Sequence, residues 1–542
     1  MKNISPLSLA FGLVAALIAL PVGSVLANLF ASGGGATIAH LAATILPETV
    51  FNTLLLCLYV GSGCILLGVG AAWLTTVLDF PGRRFFEWAL VLPLAAPAYV
   101  LAYVYTDVLQ FAGPLQSALR EAFGWRYGDY WFPEVRSLGG AALMFIAVLY
   151  PYVYLLARAA FLERGGTLLE AARTLGLGPW RAFVRVSLPL ARPAVVAGAT
   201  LALMETLADY GTVAYFGVPT FTTGIYRAWF SLGDRLAAAQ LAATLLGFVV
   251  LLLALERLAR GRARFSEAAA RRPAAVGRRL TGLRAFAAIL ACCLPLFAGF
   301  LLPALLLLRL ALLEGDAQFG TRFLTLAQNS FMLSGLTALL GVFIALLLAY
   351  GERLGGGWAA RAAVRIAGLG YAVPGAVIAV GVLIPVTRLD HWLGEQWEAF
   401  SGVNPGLLLT GGVAALVYAY LVRFLGIALQ TTGAGLARIR PSMDDAARSL
   451  GLGRGATLRR VHLPLLRGSL LTAGLLVFVD VMKELPATLV MRPFNFDTLA
   501  TQTYMLAADE RLAEASTAAL AIVGVGLLPL FVLSRQIAQG RR

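Results

Sequence analysis

The chain has 542 residues, of which 59% are hydrophobic and 13% charged, with a mean hydropathy of +0.81. A soluble domain carries roughly 25% charged residues and cannot hide this much apolar surface, so the class is membrane protein. The net charge of +15 does not point to nucleic acid, because the basic residues lie in short segments between apolar runs and almost all are arginine; Lys2 and Lys483 are the only lysines.

Runs of about 20 apolar residues can each cross a bilayer core of about 30 Å as a helix. In chain order, spans are predicted at about 6–30, 49–77, 87–113, 137–162, 191–217 and 236–257, then at 285–312, 327–350, 364–387, 405–430, 465–491 and 514–536. The first run is too long for a secretory leader, lacks a convincing basic start, and has a counterpart near Phe286–Leu312, so it reads as a retained span. Cys57, Cys64, Cys292 and Cys293 fall inside apolar runs and read as small core residues. His40, His391 and His462 are scattered with no zinc spacing. Lys and Arg concentrate in alternate loops, which predicts both termini on the cytoplasmic side. The richest basic stretch holds Arg257, Arg260, Arg262, Arg264, Arg271, Arg272, Arg278 and Arg279. It predicts a linker at 259–283 lying on anionic headgroups, between one repeat at 1–258 and another at 284–542.

The repeat is explicit in the loop after the fourth span of each half. EAARTLGLGPWRAFVRVSLPL from Glu170 matches DAARSLGLGRGATLRRVHLPL from Asp445 without a gap, at an offset of 275. Asn52 pairs with Asn329 and Pro97 with Pro374. Six spans per half in the same orientation make a parallel duplication about an axis along the membrane normal. Within the loop, Glu170–Leu175 suits a short helix with its acid near the positive end. Gly176 and Gly451 fall where a C-terminal cap takes a left-handed residue. Pro179 suits the start of the next short helix, and Pro189 and Pro464 the start of the following spans. The product is helix, tight turn, helix: a rigid elbow whose paired alanines leave a small-residue face for a partner's groove.

This duplicated pattern resembles the EAA loop of binding-protein-dependent ABC importer permeases, whose fold is the all-α type I importer bundle. The resemblance implies that Glu170, Ala171, Ala172 and Gly176, and likewise Asp445, Ala446, Ala447 and Gly451, enter clefts on two copies of a cytoplasmic ABC ATPase. Asp445 departs from the family's Glu but keeps the charge. A phosphate-binding loop needs Gly-Lys-Ser/Thr, and neither lysine follows a glycine. The chain is therefore not expected to be an enzyme or to bind a cofactor; ATP would be used by the partner subunit.

The fifth spans carry charge: Glu205 and Asp209 in the first half, Asp480 and Glu484 in the second, matched at the same offset. Their i, i+4 spacing predicts each pair on one helical face. Intramembrane acids are costly and face a cavity or a partner. They either line a cation path, with Glu205 and Asp480 as metal ligands, or form a structural network with backbone and hydroxyl groups. Lys483 sits where it can neutralise one acid locally. Hard oxygen ligands suit a hard cation such as Fe³⁺, and Tyr210, Tyr226 and Tyr504 offer phenolic oxygens. Four acids would repel sulfate, phosphate or molybdate. The stretches METLADYGTVAYFGVP and DVMKELPATLVMRPFNFDTLA resemble the fused permeases of ferric-iron importers. That resemblance implies Fe³⁺ as the transported substrate, a periplasmic ferric-ion-binding protein as partner, and a bacterial inner membrane location. Thiamine, polyamine and aminophosphonate importers have related permeases and stand as alternatives. A secondary transporter driven by an ion gradient fits the acids but gives the duplicated elbow no role.

Overall fold

The computed structural model describes residues 6–29, 39–40, 43, 45–126, 128–260, 279–315, 320–355 and 357–539. Most of the basic linker, 261–278, lies outside them. In the first half the helices are α1 Pro6–Asn28, α2 Leu46–Val77, α3 Arg83–Ala89, α4 Ala98–Leu109, α5 Pro114–Phe123, α6 Leu138–Thr174, α7 Leu188–Ala208, α8 Gly211–Tyr215, α9 Phe221–Tyr226 and α10 Arg235–Arg260. The second half has α11 Gly282–Leu296, α12 Leu302–Leu310, α13 Thr321–Arg353, α14 Gly357–Leu369, α15 Gly375–Ser401, α16 Ala414–Ala437, α17 Pro441–Ser449, α18 Leu463–Met482, α19 Pro486–Met491, α20 Leu499–Ala508 and α21 Leu512–Gln539. Among the described residues, eleven helices are long and apolar enough to cross a membrane, and a twelfth crossing is a broken pair bent by 89°.

The breaks follow from proline. Pro97 and Pro374, the pair matched in sequence, both adopt extended backbone and cap the helix that follows. Proline pushes its predecessor out of the helical region. The third span of each half is therefore two pieces, not the continuous spans expected at 87–113 and 364–387. The other matched pair also finds a common role. Asn52 Nδ2 donates to the Pro219 carbonyl at 3.3 Å, and Asn329 Nδ2 to the Asp497 carbonyl at 2.9 Å. Each tethers the loop that follows its half's acid-bearing helix.

Pro189 and Pro464 do not start new helices. A π turn, Phe183–Ser187 or Leu458–His462, leads directly into α7 or α18. The wider turn accommodates a residue without an N–H inside a continuous helix. The first half also differs before its elbow: α6 runs unbroken to Thr174, whereas the second half breaks between α16 and α17 at Pro441, where the first half has Gly166.

Two hydrophobic cores form, and each draws on both halves. One gathers residues of α2, α4 and α6 with α11 and α21; the other gathers α1 and α10 with α13, α15 and α16. The halves thus exchange outer helices. Small residues permit the close approach. A Cβ on Gly381 of α15 would fall 2.3 Å from the Pro21 carbonyl of α1, and one on Gly299 would fall 2.3 Å from the Ala147 carbonyl of α6. Tyr105 Oη donates to the Ala298 carbonyl at 2.6 Å across the same junction.

Inside the first half, α6 is gripped by glycines on two sides. A Cβ on Gly68 would meet Val153 Cβ at 2.7 Å, and one on Gly198 would meet Val153 Cα at 2.7 Å. Overpacking of this kind costs about 1–3 kcal/mol. Gly68→Ala is expected to lower the thermal unfolding midpoint of the purified protein, while Gly70→Ala, with nothing within 4 Å of its added carbon, leaves it unchanged or raises it.

Candidate functional site

The two elbows are built alike. α6 and α17 each end in a left-handed glycine, Gly176 with φ +78° and Gly451 with φ +75°. Nothing lies within 4 Å of a side chain built on either, so the backbone angle alone demands glycine. Leu177 N–H bonds to the Ala172 carbonyl and Leu452 N–H to the Ala447 carbonyl, both at 3.0 Å, which closes a Schellman cap in each half. Ala172 and Ala447 turn inward; Asp445, Ala446, Gly176 and Gly451 are exposed. Of Glu170 and Ala171 the structure gives the helical backbone only. The residue before each glycine is an exposed leucine, Leu175 at 81% and Leu450 at 80%. Sequence reasoning passed over these two, though an apolar residue just before the capping glycine in both copies was the signal.

Among the described residues, an ionic lock is seen at the second elbow. Asp444 accepts from Arg353 Nε at 2.9 Å and meets His462 Nε2 at 2.6 Å. Arg353 also donates to the Leu436 and Ile439 carbonyls at 2.7 and 2.9 Å, tying the end of α13 to the end of α16. Burial works to raise the Asp444 carboxyl, but the hydrogen bonds from Arg353 and His462 outweigh it and hold it below its ordinary 3.8. At the matched offset the first half has Leu169 and Ser187 in place of Asp444 and His462.

The four acids line one small cavity of about 100 Å³ at the junction of the halves, with Tyr99, Tyr152, Tyr371, Arg423 and Lys483. The expectation that each i, i+4 pair shares one helical face is corrected. α7 ends at Ala208 and α18 at Met482, so Glu205 and Asp480 stay helical while Asp209 and Glu484 fall past the break. The reason is local. Asp209 accepts from Thr212 N at 2.8 Å and Thr212 Oγ1 at 3.1 Å, and Glu484 accepts from Ala487 N at 2.9 Å and Thr488 N at 3.0 Å. Each satisfies the open N–H groups of the next short helix, α8 or α19.

The acids differ in their partners. Glu484 is buried and bonded to Arg423 Nη1 at 2.9 Å, and Asp480 to Lys483 Nζ at 2.9 Å. Glu205 accepts from Tyr371 Oη at 2.7 Å. The matched positions for Lys483 and Arg423 in the first half are Ala208 and Val148. Arg423 was not singled out from the sequence, although a lone arginine inside the apolar run of α16 was a visible signal. Tyr210, Tyr226 and Tyr504 lie beyond Asp209 instead of in the acid cavity. Tyr210 stacks on Tyr226 with centroids 3.7 Å apart, Tyr226 donates to the Pro486 carbonyl, and Tyr504 Oη reaches Tyr210 Oη at 3.4 Å. Among the described residues, no three His, Cys, Asp or Glu side chains converge as a metal-binding group.

A larger cavity of about 970 Å³ shares Leu94, Tyr152, Tyr371, Asp480 and Lys483 with the acid cavity. Its other lining residues include Glu256 and Arg257 near the end of α10, Gln430 in the elbow-side half of α16, and Ala197 and Thr200, which lie on the elbow side of Glu205 along α7. The acid cavity thus meets a wide vestibule on the elbow side and a tyrosine stack on the other.

The family model for the inner membrane component of binding-protein-dependent transport systems matches residues 64–264 and again 338–542. An Fe(3+)-transport system permease protein of Haemophilus influenzae is 26% identical over 501 residues, 90% of each chain. A molybdenum transport system permease protein of Escherichia coli is 30% identical over 207 residues, 36% of this chain and 87% of its own. A putative 2-aminoethylphosphonate transport system permease protein of Salmonella paratyphi A is 29% identical over 216 residues, 39% of this chain and 74% of its own.

Because the Asp444 carboxyl titrates low in the folded chain, the lock's contribution is full above the ordinary carboxylate value and fades as pH falls through the folded one. A spin label at position 450 is expected to become more mobile below about pH 4. Arg353→Gln should produce the same mobility at neutral pH, and a label at position 175 should respond to neither change.

Proposed function

The chain belongs to the inner membrane components of binding-protein-dependent transport systems, and on that premise we propose that it carries both membrane-spanning halves of an ATP-driven ferric-iron importer. Being a multi-pass inner membrane permease of the ABC importer class follows from the family. Its cargo, its orientation and its coupling residues are our reading. The observation that carries it is a continuous arrangement: two matched elbows at one end of the bundle, a vestibule above them, and an acid-lined cavity between the halves.

In this reading both termini and both elbows face the cytoplasm. Two copies of an ATPase hold the elbows through Glu170, Ala171, Ala172 and Gly176 on one side and Asp445, Ala446, Ala447 and Gly451 on the other. Leu175 and Leu450 give each elbow an apolar tip. ATP binding draws the elbows together and rocks the halves, and hydrolysis resets them. Nucleotide acts by binding one state better than the other. A periplasmic binding protein delivers Fe³⁺ above the tyrosine stack, and the ion passes Glu205, Asp209, Asp480 and Glu484 into the vestibule. The ferric assignment is supported by the iron-transport relative that spans 90% of the chain and by the acid-rich cavity. The molybdenum and 2-aminoethylphosphonate relatives each match less than one half, 36% and 39% of this chain.

Vesicles holding this chain, its ATPase and a ferric-binding protein should take up ⁵⁵Fe³⁺ only with ATP. Uptake of molybdate or 2-aminoethylphosphonate in its place would replace the cargo, and uptake without ATP would replace the mechanism. Proline fixes φ near −65°, against +78° and +75° at the elbows. Gly176→Pro and Gly451→Pro should each abolish uptake and uncouple ATP hydrolysis while the protein still inserts. Normal uptake in both would remove the elbows from coupling.

A further inference from the structure

The cavity's charge is lopsided. Asp480 carries Lys483 at 2.9 Å, and Glu484 carries Arg423 at 2.9 Å. Glu484 and Asp209 each accept from three donors of their own chain segment, Ala487 N, Thr488 N and Thr488 Oγ1 for the one and Thr212 N, Val213 N and Thr212 Oγ1 for the other, so the two differ in the arginine alone. The second half therefore balances its own two carboxylates. In the first half, among the described residues, no Lys or Arg lies within ion-pair distance of Glu205 or Asp209; their recorded partners are neutral hydroxyls and backbone N–H groups. Four acids against two cations leave a formal charge of −2, and the two acids without an ion pair are those of the first half, with Lys483 in electrostatic range of Glu205. An uncompensated pair of carboxylates in a low-dielectric setting is expensive unless a proton or a cation neutralises it.

A second observation points the same way. Tyr99 lines the same cavity, is 4% exposed, and its hydroxyl has no hydrogen-bond partner. It lies within electrostatic range of Asp209 and, more weakly, of Glu484. Its approach depends on Gly211: a Cβ there would fall 2.8 Å from both Tyr99 Cβ and Leu485 Cδ2. A buried hydroxyl left unpaired costs free energy that a ligand would recover. The glycine admits this side chain beside Asp209.

We propose that the cavity holds a one-sided oxygen site for a hard cation, formed by the Glu205 and Asp209 carboxylates and the Tyr99 phenol. Asp480 and Glu484 do not ligate; they hold Lys483 and Arg423 as fixed internal cations. Two carboxylates and a phenol suit a hard, highly charged ion. Two fixed positive charges close by keep the site from becoming a trap: a cation bound by four free carboxylates would not leave. On entry of the ion the phenol gives up its proton, which leaves with solvent through the vestibule. The proposal rests on the importer reading and places its cargo on the first half's side of the path.

The test uses the purified complex of this chain with its ATPase in nanodiscs, titrated with Fe³⁺ as its nitrilotriacetate chelate. Bound metal is counted by mass spectrometry, and the visible charge-transfer absorption of an iron–phenolate bond is recorded. The expected result is one Fe³⁺ per permease with that absorption. Tyr99→Phe, which keeps the ring packing, should remove the band. Asp209→Asn, which can still cap α8, should weaken binding at least ~10-fold, about 1.4 kcal/mol. The pair Asp480→Asn with Lys483→Met, which removes one acid and its cation together, should change affinity less than ~3-fold. Equal weakening by that pair and by Asp209→Asn would overturn the one-sided site, as would a band that survives Tyr99→Phe. Ferric uptake by vesicles with no metal retained in the complex would also sink the site while leaving the iron reading standing. Mn²⁺ binding with the same residue dependence would keep the site and overturn the ferric reading.

Discussion

Charge placed inside a bilayer has to be answered locally, and that constraint organises the centre of this molecule. The second half answers it with covalently tethered cations, Lys483 for Asp480 and Arg423 for Glu484. The first half answers it with hydrogen bonds that leave its charge in place. Both halves use the outer acid of each pair to cap a short helix, which fixes the point where the long helix stops. The break, the cap and the cavity wall are one device. Without the two acids, the N–H groups of Thr212, Val213, Ala487 and Thr488 would point into a region without bulk water.

The elbows are a second shared device with different bracing. A left-handed glycine and a Schellman cap set the angle in both. The second elbow is then tied to α13 by Arg353, Asp444 and His462, whereas the first continues straight from α6 without a break. One is stiffened by an ionic knot, the other by helical continuity. The two halves reach a similar lever by different routes, so equal changes to the two elbows need not have equal effects.

The readable parts of the sequence were those where backbone geometry restricts the residue. Pro97 and Pro374 mark breaks, Asn52 and Asn329 tether loops, and Gly176 and Gly451 turn corners, because few other residues serve there. The convergence of Glu205, Asp209, Asp480 and Glu484 on one cavity was legible from their matched positions. Their separation by a helix end was not, since an i, i+4 spacing looks the same whether or not the helix continues. Arg423 and Glu484 are 61 residues apart on different helices, and no periodicity joins them. The exchange of outer helices was invisible for a related reason. α1 is apolar all round, so nothing in its sequence says which neighbour it will choose.

That exchange has a consequence for how the chain is made. α1 leaves the ribosome before the rest of the bundle, and α15 and α14, against which it packs, end well over 300 residues later. At about 5–20 residues per second, the newborn helix waits in the lipid for on the order of tens of seconds without its mates. It must therefore be content alone in hydrocarbon, which the run from Leu9 to Val22, without a polar or charged side chain, secures. A polar residue there would be tolerable in the finished bundle and ruinous during biogenesis.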